Sequence, residues 1–175
     1  MSKTFCTLPW LHQQITSNGY IRLCCYSSET TSEYNASSCN LKEAFNGETI
    51  RRVRKNMLAG QWSPECNKCK VEEEAGLSSS RNTAVTRWAH LVDYDSALQA
   101  TKEDGSVESI PSSYDIRFGN FCNLKCRMCS PNFSHSWYEE WTDYYQDENL
   151  WDSGKYFKLI RNDNGRLVTD HYNWH

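Results

Sequence analysis

Nine cysteines in 175 residues are the side chains of this sequence best suited to chemistry. Three of them, Cys122, Cys126 and Cys129, form a C-x3-C-x2-C run. Three thiolates on one short loop can bind three irons of a [4Fe–4S] cube, which leaves the fourth iron open for a substrate or cofactor. Zinc fits this run less well, because a structural zinc site closes all four tetrahedral positions. The run therefore predicts an iron–sulfur site with one open position.

A second set of four cysteines is more dispersed along the chain: Cys6, Cys24, Cys66 and Cys69. Four thiolates make a closed site, and this spacing is equally compatible with zinc and with a fully ligated [4Fe–4S] cluster. Cys25 directly follows Cys24 and is an alternative ligand to it. Otherwise Cys25 and Cys39 are read as small buried hydrophobic side chains or incidental thiols.

The composition indicates that these thiols are reduced. Charged residues nearly balance, with 19 Lys and Arg against 22 Asp and Glu, which argues against a protein held on nucleic acid by a broad basic surface. Mean hydropathy is −0.77, and no apolar run approaches the ~18–20 residues of a membrane span. The N-terminus lacks the apolar stretch of a secretory signal. A cytoplasmic protein is therefore expected, in which cysteine patterns indicate metal binding or catalysis more often than disulfides.

The segment Cys122–Cys129, with Asn123 and Leu124 after its first cysteine, resembles the cluster loop of the radical SAM superfamily. The resemblance implies that the three cysteines bind a [4Fe–4S] cluster whose open iron is chelated by the amino and carboxylate groups of S-adenosylmethionine (SAM). Met128 stands where the family often carries an aromatic residue beside the adenine. The resemblance therefore implies a contact between SAM and the backbone of Met128.

The N-terminal part is similar to the SPASM/twitch auxiliary-cluster domain. The matching residues are Cys6-Thr7-Leu8-Pro9-Trp10, Gly19, Cys24-Cys25, Cys66, Cys69, Glu72, Gly76 and Ser80-Arg81. The resemblance implies an auxiliary [4Fe–4S] cluster on Cys6, Cys24, Cys66 and Cys69, and it favours iron–sulfur over zinc at this site. The family usually carries this domain after the radical SAM motif, whereas here it comes first.

The local sequence predicts an α+β fold whose first part is a β-hairpin. Trp10–Thr16 and Tyr20–Cys25 flank Asn18-Gly19, a strong tight-turn pair, because both central residues of such a turn need positive φ. The turn is expected to bring Cys6 and Cys24 towards the same end of the hairpin. A loop is expected over residues 27–39, which are rich in Ser, Thr and Asn.

Helices are predicted to follow over residues 41–45, 48–59, 64–76 and 81–100. Asn40 and Ser63 are the predicted N-caps of the first and third of them, and Gly60 is expected just past the end of the second. The third helix places Cys66 and Cys69 on one face near its N-terminus. The positive end of the helix dipole would favour thiolates there.

The best linker lies over residues 101–113, which contain Asp104-Gly105 and Pro111. It divides the chain into a predicted SPASM/twitch-like auxiliary iron–sulfur domain over 1–100 and the N-terminal part of a radical SAM core over 114–175.

The predicted core begins with a strand over 114–119 that runs into the cysteine loop. A helix over 135–145 follows, with Ser134 or Asn132 as its cap, and another hairpin is expected around Asn162–Gly165. Strand, loop and helix form one β/α unit with its site at the carboxyl end of the strand, where barrel enzymes place their chemistry. The fold expected is the first unit of an incomplete partial (β/α) barrel.

The region 114–175 has room for roughly two β/α units of about 30 residues each. The family's partial barrel has six, and the Gly-Gly-Glu-type element that would hold the SAM amino group is absent. The aromatic residues at 171–175 resemble interior sequence. The chain is therefore expected to be the N-terminal portion of a longer enzyme and to be incomplete for catalysis.

The expected function is reductive cleavage of SAM at a [4Fe–4S] cluster, giving a 5′-deoxyadenosyl radical that takes a hydrogen atom from substrate. Two [4Fe–4S] clusters and SAM are the expected cofactors. An electron donor such as a flavodoxin or ferredoxin and a peptide or protein substrate are the expected partners, although the sequence does not choose between peptide, protein and small-molecule substrates. The alternatives are a non-catalytic zinc- or iron–sulfur-binding module and an inactive fragment with only the auxiliary cluster.

Overall fold

The computed structural model describes residues 3–27, 33–152, 155–172 and 174 and has a mixed α+β fold. Its helices are α1 (Leu8–Leu11), α2 (Leu41–Phe45), α3 (Glu48–Leu58), α4 (Asn67–Glu74), α5 (Ser80–Trp88), α6 (Tyr94–Ala100) and α7 (Tyr138–Tyr145). Short 3₁₀ segments cover Pro64–Cys66 and His135–Trp137. No helix in the described part of the chain is long and apolar enough to cross a membrane.

Seven strands form three small sheets within the described residues: β1 (His12–Ile15), β2 (Ile21–Arg22), β3 (Ser113–Ile116), β4 (Asn149–Asp152), β5 (Lys155–Lys158), β6 (Ile160–Arg161) and β7 (Leu167–Val168). The largest sheet has the order β2-β1-β3, and the other two are the hairpins β4–β5 and β6–β7. β1 pairs with β2 antiparallel and with β3 parallel, with His12 opposite Ser113 and Ile15 opposite Ile116. This sheet joins a strand of the predicted auxiliary domain to a strand of the predicted core.

The N-terminal hairpin is shorter than the sequence predicted. Trp10 lies in α1 rather than in the first strand, because Pro9 at the start of that helix has the fixed φ that helices prefer. The turn forms at the predicted place, with Gly19 at φ +85°. A Cβ atom at Gly19 would lie 2.6 Å from the Cβ of Trp174, so close packing as well as the turn requires glycine there.

The main core lies between α1, α3 and the segment after α6. It contains Phe5, Trp10, Phe45, Val53 and Met57, all nearly inaccessible to solvent. The four apolar side chains Ile50, Val53, Met57 and Leu58 follow the spacing of one helical face, and α3 buries that face here.

The segment over 101–113, predicted as a linker, packs closely against the first part of the chain. Val107 is buried in the main core, and its backbone N–H and C=O both bond to the side chain of Asn46, at 2.9 and 3.0 Å. Gly105 has φ +88°, and a Cβ atom there would lie 2.4 Å from the carbonyl oxygen of Arg51. The division of the chain into two domains stays a prediction, since packing alone does not define it.

The ends of the helices match the sequence-based predictions where a contact between neighbouring residues defines them. Asn40 caps α2 by accepting a hydrogen bond from the Lys42 amide, as predicted. Ser63 lies at the predicted N-cap position, before the 3₁₀ segment Pro64–Cys66, but its hydroxyl accepts a hydrogen bond from the Asn56 side chain and makes no capping bond. The single helix predicted over 81–100 is two helices, since Asp93 forms a capping box with Ser96 that starts α6.

The C-terminal part contains one hairpin more than the sequence predicted. β6 and β7 pair around residues 162–165, close to the predicted hairpin, whereas the pairing of β4 with β5 was not expected. His171 stacks on Phe157 at 4.2 Å between ring centroids, and Tyr172 meets the same ring edge-on. Residues 153, 154, 173 and 175, and residues 28–32 of the loop predicted over 27–39, lie outside the described residues.

Candidate metal centres

The four dispersed cysteines meet at one cavity. Cys6 precedes α1, Cys24 follows β2, Cys66 ends the 3₁₀ segment before α4, and Cys69 lies in the first turn of α4. All four line a cavity of about 330 Å³. Much of the remaining wall is apolar and comes from Leu8, Leu23, Met57, Ala84 and Trp88. The turn between β1 and β2 is what brings Cys24 back towards Cys6.

Burial dominates the acidity of these thiols. It raises the pKa of Cys6 to about 12 and also raises the pKa values of Cys24 and Cys66, and the negative charges of neighbouring cysteines raise all three further. Cys6 is sensitive to the charges of Cys24 and Cys69, and Cys66 to those of Cys6, Cys24 and Cys69. In the metal-free site Cys6, Cys24 and Cys66 are therefore neutral thiols at pH 7, and binding of a cationic metal group would release their protons.

Cys24 and Cys25 differ in how firmly the chain holds them. The amide of Cys24 donates to the Ser27 hydroxyl at 3.3 Å, and that hydroxyl donates back to the Cys24 carbonyl at 2.8 Å. Cys25 lines the same cavity but is exposed. Cys39 packs in a separate apolar cluster with Ile15 and Ile21. This arrangement favours Cys24 as the fourth thiol, although its role as the ligand stays a prediction.

Two arginines, together with the acidic side chains Glu65 and Asp115, line the cavity. Arg81, in the first turn of α5, lines it and donates to both carboxylate oxygens of Glu73, at 2.8 and 2.6 Å, and to the carbonyl of Phe5 at 2.7 Å. Arg87 lines the cavity as well. Glu72, one of the residues that carry the SPASM/twitch resemblance, is not among the lining residues, whereas the neighbouring Glu73 anchors Arg81. Four thiolates around iron carry net negative charge, which these cations stabilise.

The donor set of this cavity is four cysteine thiols. A closed [4Fe–4S] cluster uses four thiolates, each on a different iron. Among the described residues, no three His, Cys, Asp or Glu side chains lie close enough together to hold one metal ion.

The second cysteine set lies on the loop that follows β3. Cys122 and Cys129 are half-buried, Cys126 is exposed, and the Cys129 amide donates to the Cys126 carbonyl at 2.9 Å. Met128 is 93% exposed. The backbone of Cys122 is held by side chains from residues 134–136, as described below. The loop thus presents its middle cysteine to solvent, whereas its first and last cysteines are half-buried and the backbone of the first is held by side chains.

Comparison with known proteins bears on the segment that carries the first of these two sites. Residues 6–70 match the family model SPASM, an iron–sulfur cluster-binding domain. The matched segment contains Cys6, Cys24, Cys66 and Cys69, and the match supports an iron–sulfur cofactor and confirms the SPASM part of the resemblance. No curated protein and no solved structure matches the chain.

The cavity lined by Cys6, Cys24, Cys66 and Cys69 is here called the SPASM cavity. Its wall also includes three polar side chains that the sequence alone did not indicate. His12 of β1 and Ser113 and Asp115 of β3 line the cavity, with His12 Nδ1 3.0 Å from the Ser113 hydroxyl. Burial lowers the pKa of His12, and the charge of Asp115 partly opposes that effect. Gln14 donates to the Asp115 carboxylate at 2.5 Å. His12 and Gln14 are each about a hundred positions from Ser113 and Asp115 along the chain, and the parallel pairing of β1 with β3 brings them together.

We expect the thiols of the metal-free SPASM cavity to react slowly with iodoacetamide. Because burial raises the pKa of Cys6 to about 12, its alkylation at pH 8 should be at least about tenfold slower than that of the exposed Cys126, and it should accelerate up to about pH 12. Mass spectrometry of peptides from the folded, metal-free protein measures each rate. Equal rates for Cys6 and Cys126 at pH 8 would contradict the buried site.

Glu73→Gln should destabilise the SPASM cavity in a pH-dependent way. The Arg81 hydrogen bonds lower the pKa of Glu73, so its carboxylate stabilises the folded state above the unfolded pKa and loses that effect as pH falls through the lower folded value. We expect a loss of about 1–2 kcal/mol of unfolding free energy at pH 7. Urea unfolding at pH 7 and pH 3 measures the difference, with exposed Glu74→Gln as the control. A loss equally large at pH 3 would contradict the role of the charge.

Proposed function

We propose that this chain is a radical SAM protein, or the N-terminal portion of one, with an auxiliary cluster in its SPASM segment. One combination of features supports the proposal. A C-x3-C-x2-C loop follows directly after β3, and β3 pairs with β1 of a segment that matches an iron–sulfur cluster-binding family. Neither feature alone is as specific, because cysteine runs also bind zinc.

Two sets of ligands are proposed. Cys122, Cys126 and Cys129 hold a [4Fe–4S] cluster with one open iron, and Cys6, Cys24, Cys66 and Cys69 hold a closed auxiliary [4Fe–4S] cluster. When bound, the open cluster supplies one electron to SAM, whose C5′–S bond breaks to give methionine and a 5′-deoxyadenosyl radical that takes a hydrogen atom from substrate.

The protein's own part in this chemistry is to position the loop and adjust its charge. Exposure of Cys126 and Met128 leaves that side of the loop accessible to a cofactor, and the Met128 backbone is the proposed contact to SAM. Lys125, in the middle of the loop, forms an ion pair with Glu140 of α7. Arg127 is also in the loop, and a cation beside a cluster favours the more negative reduced state.

The proposal extends to fold and partners. β3, the cysteine loop and α7 form the first β/α unit of a partial barrel, with the site at the carboxyl end of the strand. An external one-electron donor of the flavodoxin or ferredoxin class supplies the reducing equivalent, and the substrate is a peptide, a protein or a small molecule. The proposed location is the cytoplasm, where the thiols stay reduced. A zinc-binding module is not favoured, because the SPASM family binds iron–sulfur clusters.

Formation of 5′-deoxyadenosine tests the proposal. The chain is reconstituted anaerobically with iron and sulfide, mixed with SAM and dithionite, and the products are separated by chromatography. We expect 5′-deoxyadenosine and methionine in equal amounts. A reconstituted protein that carries both clusters and forms no 5′-deoxyadenosine would refute SAM cleavage by this chain.

A further inference from the structure

Three consecutive side chains hold the first cysteine of the loop. Ser134, His135 and Ser136, here called the serine–histidine clamp, all bond to the backbone of Cys122 or Leu124. The Ser136 hydroxyl donates to the Cys122 carbonyl at 2.6 Å, and the Ser134 hydroxyl donates to the Leu124 carbonyl at 2.8 Å. Ser134 is fully buried. Its predicted role as a helix cap was wrong, because its hydroxyl is used on the loop instead.

His135 makes the contact of the clamp that matters for a cluster. Its Nδ1 accepts a hydrogen bond from the Cys122 amide at 3.1 Å, so the proton of the neutral ring lies on Nε2. The ring packs against Phe121 at 4.5 Å between centroids and meets Tyr138 edge-on at 6.4 Å. The His135 amide donates to the Asn120 carbonyl at 3.0 Å. Ring and backbone are therefore both fixed relative to Cys122.

The backbone N–H of a cysteine that binds a cluster can donate its hydrogen either to a sulfur of the cluster or to another group of the protein. If it donates to a thiolate or sulfide sulfur, it stabilises the more negative reduced cluster and raises the reduction potential. In this chain the Cys122 amide donates to His135 instead, at an ordinary hydrogen-bond distance.

We propose that His135 is a positioning residue that fixes Cys122 and withholds its amide hydrogen from the cluster, which keeps the reduction potential of the loop cluster low. The inference rests on the proposed function, because one-electron reduction of SAM requires a strongly reducing cluster. The remaining half of the loop, with exposed Cys126, lacks a comparable clamp among the described contacts.

Two substitutions separate the acceptor from the ring. His135→Phe keeps an aromatic ring beside Phe121 but removes the acceptor, whereas His135→Asn removes the ring but keeps an oxygen close to the position of Nδ1. In the reconstituted full chain, the midpoint potential of the loop cluster, measured by redox titration followed by electron paramagnetic resonance, should become more positive in His135→Phe. In His135→Asn it should return towards the wild-type value.

A second readout needs no cluster. In the metal-free chain, hydrogen exchange of the Cys122 amide measured by nuclear magnetic resonance should be roughly fivefold faster in His135→Phe, the factor expected for loss of one ordinary hydrogen bond. His135→Asn should restore protection, and His90→Phe, a substitution at an exposed histidine of another segment, should change neither quantity. Equal potentials in wild type and His135→Phe, or equal shifts in His135→Phe and His135→Asn, would overturn the inference.

The failure of the inference can be told from the failure of the proposed function. A wild-type chain that takes up no cluster on Cys122, Cys126 and Cys129 refutes the proposed function and the inference with it. A loaded chain that cleaves SAM, but whose potential is indifferent to the acceptor at position 135, refutes the inference alone.

Discussion

Cys126→Ala should abolish formation of 5′-deoxyadenosine from SAM, to the level seen without protein. Cys126 is the middle ligand of the proposed open cluster, and two thiolates on an exposed loop do not retain a cube. The iron content should fall from about eight to about four per chain, because the SPASM cavity keeps its own four thiols. Anaerobic reconstitution followed by iron analysis and product chromatography measures both changes.

Cys39→Ala is the matched control for this prediction. Cys39 lies outside both ligand sets and packs with Ile15 and Ile21, so its loss should leave iron content and SAM cleavage unchanged. The account fails at this point if Cys126→Ala retains wild-type SAM cleavage, or if both variants lose iron equally.

Arg54→Met should lower the free energy of unfolding by about 4 kcal/mol, a large part of the stability of an ordinary domain. Arg54 is fully buried, and its guanidinium donates to the carbonyls of Pro9, Phe45 and Gly105 and to the side chain of Asn46. Each buried oxygen left without a donor costs about 1–3 kcal/mol, although packing of the methionine offsets part of the loss. The guanidinium also lies 4.5 Å from the centre of the Phe45 ring.

Thermal unfolding followed by circular dichroism measures this effect, and we expect the midpoint to fall by about 10 °C. Lys55→Met is the matched control, since Lys55 is exposed on the same helix and its substitution removes the same charge. We expect little change for Lys55→Met. A midpoint for Arg54→Met within about 2 °C of wild type would show that α1, α2 and the segment around Gly105 do not depend on this side chain.

Arg54 also connects the stability of the fold to the candidate site. Pro9 is the second residue of α1, three positions after Cys6, and Gly105 lies in the stretch that leads to β3. One side chain therefore joins the first thiol of the SPASM cavity to the strand that precedes the cysteine loop. Loss of Arg54 should weaken retention of the cluster as well as the stability of the fold, because the site forms only in the folded chain and the free energies of metal binding and folding are therefore coupled.

Local chemistry made part of this molecule predictable from sequence. The cysteine spacings indicated both candidate sites, since ligand type and spacing are properties of short segments. The cap at Asn40 and the turn at Gly19 were also correct, because each depends on contacts within a few residues. The SPASM match later agreed with the resemblance based on the same cysteines.

Contacts between distant residues were not predictable in the same way. The parallel pairing of β1 with β3 joins residues about a hundred positions apart, and nothing in either segment names its partner. The four acceptors of Arg54 come from three separate segments, so the sequence of α3 alone does not indicate that this arginine is buried. The apolar spacing from Val85 to Val92 continues past the end of α5, which is why the capping box at Asp93 was missed.

The serine–histidine clamp illustrates another reason why a contact could not be predicted from the sequence. Ser134 was correctly placed just before a helical segment, yet its hydroxyl bonds to the Leu124 carbonyl of the preceding loop. A serine before a helix has two ways to satisfy its hydroxyl, and the choice depends on where the loop passes. Side-chain identity alone does not reveal that path.

The metal content of the anaerobically reconstituted chain tests the central claim most directly. Iron, acid-labile sulfide and zinc are measured on the same sample after removal of unbound metal. The account predicts about eight irons and about eight sulfides per chain, from two [4Fe–4S] clusters, with no stoichiometric zinc. Stoichiometric zinc without iron would contradict it.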